Sequence, residues 1–385
     1  MAMPEKRYLL TPGPTPVPPQ VLAAMSAPVE HHRGPDFKRL FGRCLTRLGE
    51  VFRTEGDVLV FTASGTGAME SAIANLCSPG DRVVVPSAGH FGERWAALAE
   101  AYGCEVSGLA YAWGETPVPD DLEARLRELG GATAVLLTQS ETSTGVVCDV
   151  EALARVAKAA GALVVVDAVS SLAAVPLEVD GWGVDVAISG SQKALMTPPG
   201  LAFASVSNAA WDATERSTSP RYYFDWGRTR RAQQKPQSPF TPAVPIVAGL
   251  DVALGLLLED GLESAFAHHA RLGRACREGV KGMGLELFSP DEDRSAVVTA
   301  VKVPEGIDGR ELVLEIRDRF GVTLAGGQGR LEGKIVRIGH IGWFDVFDIA
   351  TALAALELAL HGAGAEIERG VAVTRALDVY AGARV

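Results

Sequence analysis

The sequence predicts an α/β fold: a mostly parallel central sheet with helices on both faces, followed by a smaller C-terminal α+β domain. Three observations carry this. Strand-like and helix-like segments alternate from residue 58 to residue 207, the order that builds parallel sheets under helical cover. Several strand segments, such as "LVVVD" (163–167) and "VDVAISG" (184–190), are continuous apolar runs rich in β-branched residues, as strands buried on both faces require. After residue 240 the pattern changes to two long helices and then to strand, helix, strand, helix.

Each element has a local reason. The Pro-rich arm from Pro12 to Pro19 is expected to be extended, because proline fixes φ and removes a donor. "VLVF" (58–61) leads through "TASGTG" into a helix with Ala68, Met69, Ala72, Ile73, Leu76 and Cys77 at helical spacing. "DRVVVPS" precedes a helix at "GERWAALAEAYG"; "EVSGLA" precedes one near 120–129. "TAVLLTQ" precedes the helix "DVEALARVAKAAG", which feeds "ALVVVDAV", and then come "VDVAISG" and "LAFASVS". "PAVPIVAGLDVALGLLLEDG" and "LESAFAHHARLGRACREGVKGMG" read as helices with glycine stops. Last come "SAVVTAVKV", "GRELVLEIRDRFG", "KIVRIGHIG" and "VFDIATALAALELALHG". The expected organisation is an arm over residues 1–20, a large domain over 21–260 and a small domain over 261–385.

Composition narrows the function. A chain of 385 residues with 47% hydrophobic and 22% charged residues has the makings of a large core. Its formal net charge of −11 argues against nucleic acid or an anionic membrane as partner. Between residues 216 and 235 the balance reverses, with Arg216, Arg221, Arg228, Arg230, Arg231 and Lys235 against Asp225; this reads either as a solvated loop or as a flap near an anionic ligand. Cys44, Cys77, Cys104, Cys148 and Cys276 show no C-x-x-C spacing, so neither a disulfide framework nor a metal site is expected. The adjacent His268 and His269 lack i, i+4 spacing and are expected on a helix surface. No apolar run approaches a membrane span, and a cytoplasmic location is expected.

Ligands of open α/β sheets bind beyond the carboxyl ends of the strands, so residues ending the strands are the candidates. Ser64 to Gly67 ("SGTG") joins a strand to a helix, where free amides and hydroxyls suit a phosphate. The third glycine of G-x-G-x-x-G is replaced by Glu70, which argues against a dinucleotide fold. Asp167 ends "LVVVD", where it could cap a turn or pair with a cationic ring nitrogen. Lys193 follows "VDVAISG" beside Ser189, Gly190 and Ser191, small residues that leave room for a planar ligand. An amine, an acid and a phosphate cradle on one sheet edge have one economical explanation, pyridoxal 5′-phosphate held through the lysine.

"YLLTPGPTPVPPQVLAAM", "SGTGAMESAIANL", "TQSETSTGV", "VVVDAVSSLAAVPLEVDGWGVDVAISGSQKALMTPPGL" and "KIVRIGHIG" resemble, in order and spacing, the fold-type I, class V aminotransferases of the alanine-glyoxylate and serine-pyruvate group. The resemblance implies that Lys193 is the Schiff-base lysine and Asp167 the partner of the pyridine nitrogen. It implies that Ser64, Gly65, Thr66 and Gln192 hold the phosphate, that Thr142 touches the ring hydroxyl, and that Phe91 and Val169 cover the two ring faces. Thr241 would reach a phosphate across a homodimer interface, and Arg337 would clamp the substrate carboxylate. Two plainer readings stand beside these, Phe91 as a core residue and Arg337 as a structural ion pair. One departure is Ser238, where some relatives place a tyrosine.

The expected reaction moves an amino group from a small L-amino acid, alanine or serine, to a 2-oxo acid such as glyoxylate or pyruvate, by a ping-pong route with Lys193 as general base. Other readings are a lyase such as a desulfurase, which needs a cysteine on a mobile loop where only Cys276 in a helix follows, a non-catalytic cofactor-binding protein, and a nicotinamide dehydrogenase, which Glu70 discourages. By the same resemblance His31, His32 and Arg33 lie near the mouth of the site.

Overall fold

The computed structural model describes residues 6–290 and 295–382. Its central sheet contains β1 (Asp57–Phe61), β2 (Arg82–Ser87), β3 (Glu105–Ala110), β4 (Ala134–Thr138), β5 (Leu163–Asp167), β6 (Val186–Gly190) and β7 (Ala202–Val206), in the order β1-β7-β6-β5-β4-β2-β3. Only β7 runs antiparallel to its neighbours among these strands. Alternate side chains of one strand point to opposite faces, and here both faces are apolar. Val58, Val60, Val164 and Val166 join one buried cluster with Phe41, Leu48, Leu153 and Leu254. Leu59, Phe61 and Val165 join another with Met69, Ile73 and Trp95. Helices therefore cover both faces, and the continuous apolar runs follow from that.

Helices α1 (Gly65–Leu76) and α2 (His90–Ala101) follow β1 and β2. The last part of the chain forms a separate antiparallel sheet, with β8 (Val298–Lys302), β9 (Ala325–Gly326) and β10 (Ile335–Gly339) in the order β8-β10-β9. It packs on α3 (Leu262–Gly282) and α4 (Val346–Gly362) through Leu272, Cys276, Ile338, Ile349 and Leu353.

The proline-rich arm ties the two sheets together. Tyr8 and Leu9 pair in parallel with Val322 and Thr323, and the Gly339 amide donates to the Leu10 carbonyl at 3.0 Å. Farther along, the Thr15 amide donates to the Gln192 carbonyl at 3.1 Å, and its hydroxyl to the Lys193 carbonyl at 3.0 Å.

The structure differs from the sequence reading in two places outside the site. The basic segment is not a solvated loop throughout: it contains a helix over Trp226–Gln233 whose Trp226 is buried and donates to Ser71 Oγ. Two of its cations are engaged internally, Arg230 with Asp57 at 2.8 Å and Arg221 with the carbonyls of Ala74, Thr214, Ser217 and Ser219, while Arg216, Arg231 and Lys235 are exposed. His269 is not a surface residue; it is buried and accepts the Gly342 amide at 3.1 Å. The five cysteines are free and buried.

Candidate active site

Five strand ends on one edge of the central sheet deliver the candidate residues. β6 closes at Gly190, and Ser191 folds the next turn back by donating to the Pro198 carbonyl at 2.7 Å and accepting the Leu201 amide at 3.2 Å. That turn presents Lys193, whose Nζ donates to the Pro12 carbonyl of the arm at 2.9 Å. Burial pulls the Lys193 amine down to about 8, with Arg337 and Arg94 adding to the effect and Asp167 opposing it. The amine is therefore neutral in an appreciable fraction at neutral pH.

Asp167 ends the neighbouring β5 and is buried. Its carboxylate accepts the Val169 amide at 2.8 Å, and burial pushes its pKa up to about 6 against that hydrogen bond. Among the described residues no salt bridge reaches Asp167; a carboxylate buried in this way is costly as an anion, and a cationic ligand nitrogen relieves the cost. Val169, two residues on, lies against Gly65 so closely that a side chain at Gly65 would overlap it.

The first turn of α1 faces the same edge. Ser64 sits at its N-cap but makes no capping hydrogen bond, so the opening amides have no side-chain partner. Thr66 Oγ1 accepts Arg94 Nη1 at 3.0 Å. Gln192 Oε1 is buried with no hydrogen-bond partner. Unpartnered donors at a helix start are a feature that an anionic ligand would satisfy, whereas the Gln192 oxygen, an acceptor, calls for a donor.

Phe91 opens α2 and is held by an unanticipated residue, Glu141. The buried Glu141 carboxylate accepts the amides of Phe91 at 2.9 Å and Gly92 at 3.1 Å, and the Ser143 hydroxyl at 2.5 Å. Gly89 leaves Glu141 and Ser143 the space they need, since a Cβ there would overlap both. Thr142, next to Glu141, is buried, and its carbonyl accepts Arg337 Nη1 at 2.8 Å.

Arg337 stands on β10 opposite Ala300 and Ala325, whose short side chains leave room for a guanidinium. It also donates to the Gly326 carbonyl at 2.9 Å and to Gln328 Oε1 at 3.3 Å. Burial lowers it to about 10. Among the described residues these neutral acceptors, and no carboxylate, hold its guanidinium, so the ion-pair alternative is not what positions it.

The structure thus gathers Lys193, Asp167, Val169, Gly65 and Thr66 around one sheet edge, with Phe91, Thr142 and Arg337 linked to it through Glu141 and the small sheet. Thr241 stands apart: it is exposed, in the segment whose Ala243 amide donates to Thr62 Oγ1 at 3.1 Å. Arg33 donates to Gln237 Oε1 and the Ser238 carbonyl, both at 2.9 Å, while His31 is exposed and His32 half-buried. The sequence reading missed Pro12, Arg94 and Glu141 as parts of the site. Cys276 lies wholly buried inside α3 with its thiol pushed up to about 11, an inert environment. Among the described residues no group of three or more His, Cys, Asp or Glu is arranged to hold a metal ion, and no helix is long and apolar enough to cross a membrane.

Comparison with known proteins gives a consistent family. The profile described as Aminotransferase class-V matches residues 7–334. A protein of Synechococcus sp. (strain PCC 6716) named soluble hydrogenase, small subunit, is 43% identical, covering 94% of this chain and 95% of its own length. Serine–glyoxylate aminotransferase of Methylorubrum extorquens is 36% identical over 97% of this chain and 96% of its own. The crystal structure of pyridoxamine-pyruvate aminotransferase from Mesorhizobium loti superposes with a TM-score of 0.94 at 30% identity, covering 99% of this chain and 100% of the other. The open helix start, which offers donors to a phosphate, and the buried Asp167, which suits a cationic ring nitrogen, fit pyridoxal phosphate. The chain belongs to the class-V aminotransferases, with their fold-type I architecture and their pyridoxal phosphate cofactor.

Proposed function

We propose that this aminotransferase moves the amino group of a small L-amino acid, alanine or serine, to a 2-oxo acid such as glyoxylate or pyruvate, by a ping-pong route in a cytoplasmic homodimer. The observation that carries the reading is the pairing of a depressed amine, Lys193, with a buried carboxylate, Asp167, at the ends of adjacent strands. Glyoxylate as acceptor is supported by the names of relatives, which include serine–glyoxylate, L-aspartate–glyoxylate and (S)-ureidoglycine–glyoxylate enzymes.

In this reading Lys193 is the covalent anchor for the cofactor aldehyde, and Ser64, Gly65, Thr66 and Gln192 hold its phosphate. Thr142 meets the ring hydroxyl, while Phe91 and Val169 cover the ring faces. When bound, the cofactor supplies an electron sink for negative charge developing at the amino acid's α-carbon. Asp167 keeps a proton on the ring nitrogen. Arg337 clamps the substrate carboxylate through its forked donors, which orients the α-hydrogen toward Lys193. Once displaced by substrate, Lys193 Nζ takes that proton as a general base, a role suited to an amine near 8. Thr241, exposed on its own subunit, serves the phosphate of the second copy. The domains divide as residues 1–20, 21–260 and 261–385.

Borohydride reduction and peptide mapping test the anchor: the label is expected on Lys193, and a label elsewhere defeats the reading. Lys193→Ala is expected to lose both label and turnover. Crossing donors with glyoxylate, pyruvate and 2-oxoglutarate identifies the substrates; a bound chromophore that no amino acid alters would make the chain a non-catalytic binder. The hydrogenase name of the Synechococcus relative supports a second reading, tested by dye-linked hydrogen uptake with the same preparation.

A further inference from the structure

Arg94 lies one helical turn beyond His90 on α2, and three contacts fix its guanidinium. Nη1 donates to Thr66 Oγ1 at 3.0 Å, Nη2 lies 3.2 Å from His90 Nε2, and the group stacks over the Phe91 ring at 4.7 Å. Burial and the nearby Arg94 cation lower the His90 pKa, which favours the neutral ring that can accept from Nη2. All three contacts are therefore to uncharged groups. Among the described residues no carboxylate pairs with this partly buried guanidinium, and an arginine so placed is suited to an anionic ligand.

The adjacent cradle supplies the complementary need. Ser64, Gly65, Thr66 and Gln192 are all neutral, whereas a phosphate ester with its second proton lost carries close to two negative charges. Hydrogen-bond bookkeeping at Thr66 points the same way. Because Oγ1 accepts from Arg94, its own O–H is left to donate, and a phosphate oxygen can take that hydrogen. Of the other cations of the site, Lys193 is assigned to the aldehyde end and Arg337 to the substrate carboxylate.

We infer that Arg94 is the counter-charge of the cofactor phosphate, acting on it beside Thr66, while the same guanidinium fixes the Phe91 ring. This rests on the reading of Ser64 to Thr66 as the phosphate cradle. The assignment makes α2 a two-point support, with Phe91 for the ring and Arg94 for the phosphate.

The test separates phosphate from ring. The full chain, stripped of cofactor, is titrated with pyridoxal phosphate and with pyridoxal, which lacks the phosphate, following the absorbance of the bound chromophore. Arg94→Gln is expected to weaken pyridoxal phosphate about tenfold to a hundredfold, the range for losing a charge-assisted hydrogen bond, and to leave pyridoxal nearly unchanged. Arg94→Lys, which keeps the charge without the fork, is expected to recover part of the loss. An unchanged ratio of the two affinities overturns the inference, as does an equal loss for both ligands, which would mean that Arg94 only supports the ring. Arg94→Met gives the same comparison should the glutamine variant fail to fold. A wild-type chain labelled by borohydride at Lys193 but showing no Arg94 dependence defeats this inference alone; a wild type without that label defeats the parent reading.

Discussion

Lys193 Nζ donates to the Pro12 carbonyl at 2.9 Å, so the amine proposed as the cofactor anchor is positioned by a backbone group 181 residues earlier in the chain. Its acid neighbour Asp167 acts on it through the field alone. The arm is thus part of the site, and the residue after Pro12 bears the consequence. Gly13 has φ of +138°, a region that favours glycine, and a Cβ there would overlap the end of the Lys193 side chain. Gly13→Ala is expected to slow cofactor capture and lower kcat/KM at least tenfold, by misplacing the amine. Wild-type capture kinetics in that variant would show that the contact is incidental.

The pH dependence of cofactor capture follows from the same amine. Only the neutral form attacks an aldehyde, and burial lowers the Lys193 pKa to about 8. The capture rate of cofactor-free chain is therefore expected to rise with pH, reach half its maximum near pH 8 and level off above it. Asp167, raised to about 6, is already ionised across that range. Stopped-flow absorbance at a series of pH values measures the midpoint; a midpoint near the ordinary lysine value would contradict the buried, depressed amine.

Glu141 offers a stability prediction. Its carboxylate accepts from Phe91 N, Gly92 N and Ser143 Oγ, and glutamine would set an NH2 group against some of those donors. Glu141→Gln is expected to destabilise the fold by about 2 kcal/mol, the order for leaving buried donors unmatched. It is also expected to weaken cofactor binding by releasing the start of α2. Urea unfolding of cofactor-free protein checks the first effect, and no change in midpoint would mean that the amides find other partners.

Arg337→Lys addresses the substrate clamp. The guanidinium meets the Gly326 and Thr142 carbonyls and Gln328 Oε1 at once, an arrangement that a single ammonium cannot reproduce. The KM for the amino donor is expected to rise at least tenfold, the order for losing a charge-assisted hydrogen bond, with cofactor capture retained. Equal affinity for donor in the variant would remove Arg337 from carboxylate recognition.

What was legible in the sequence is what strand geometry dictates. Continuous apolar runs mark strands covered on both faces, and residues just past their ends, such as Asp167 and Lys193, must share an edge. Arg94 and Glu141 lie inside the segments "GERWAALAEAYG" and "TQSETSTGV", yet carry no signal of their role. Their importance arises from hydrogen bonds to partners 28 and 50 residues away. The Trp226–Gln233 helix was hidden for a similar reason. Its sequence looks like a charged loop, and it is stabilised by tertiary contacts: Trp226 with Ser71, and the Gln233 amide bridging Val58 and Val60 on the outer strand β1. The helix over Pro35–Phe52 did carry a signal, with Phe37, Phe41, Cys44 and Leu48 buried at helical spacing, but the histidines and arginine before it drew the reading toward the mouth of the site.

The arm that pairs Tyr8 with Val322 and reaches Lys193 also sets a timetable. In order of synthesis Tyr8 precedes its strand partner by more than three hundred positions, so that pairing can form only after all seven strands of the central sheet have been made. The anchoring of the arm is therefore a contact of late chain growth, whereas the sheet edge it reaches is complete long before.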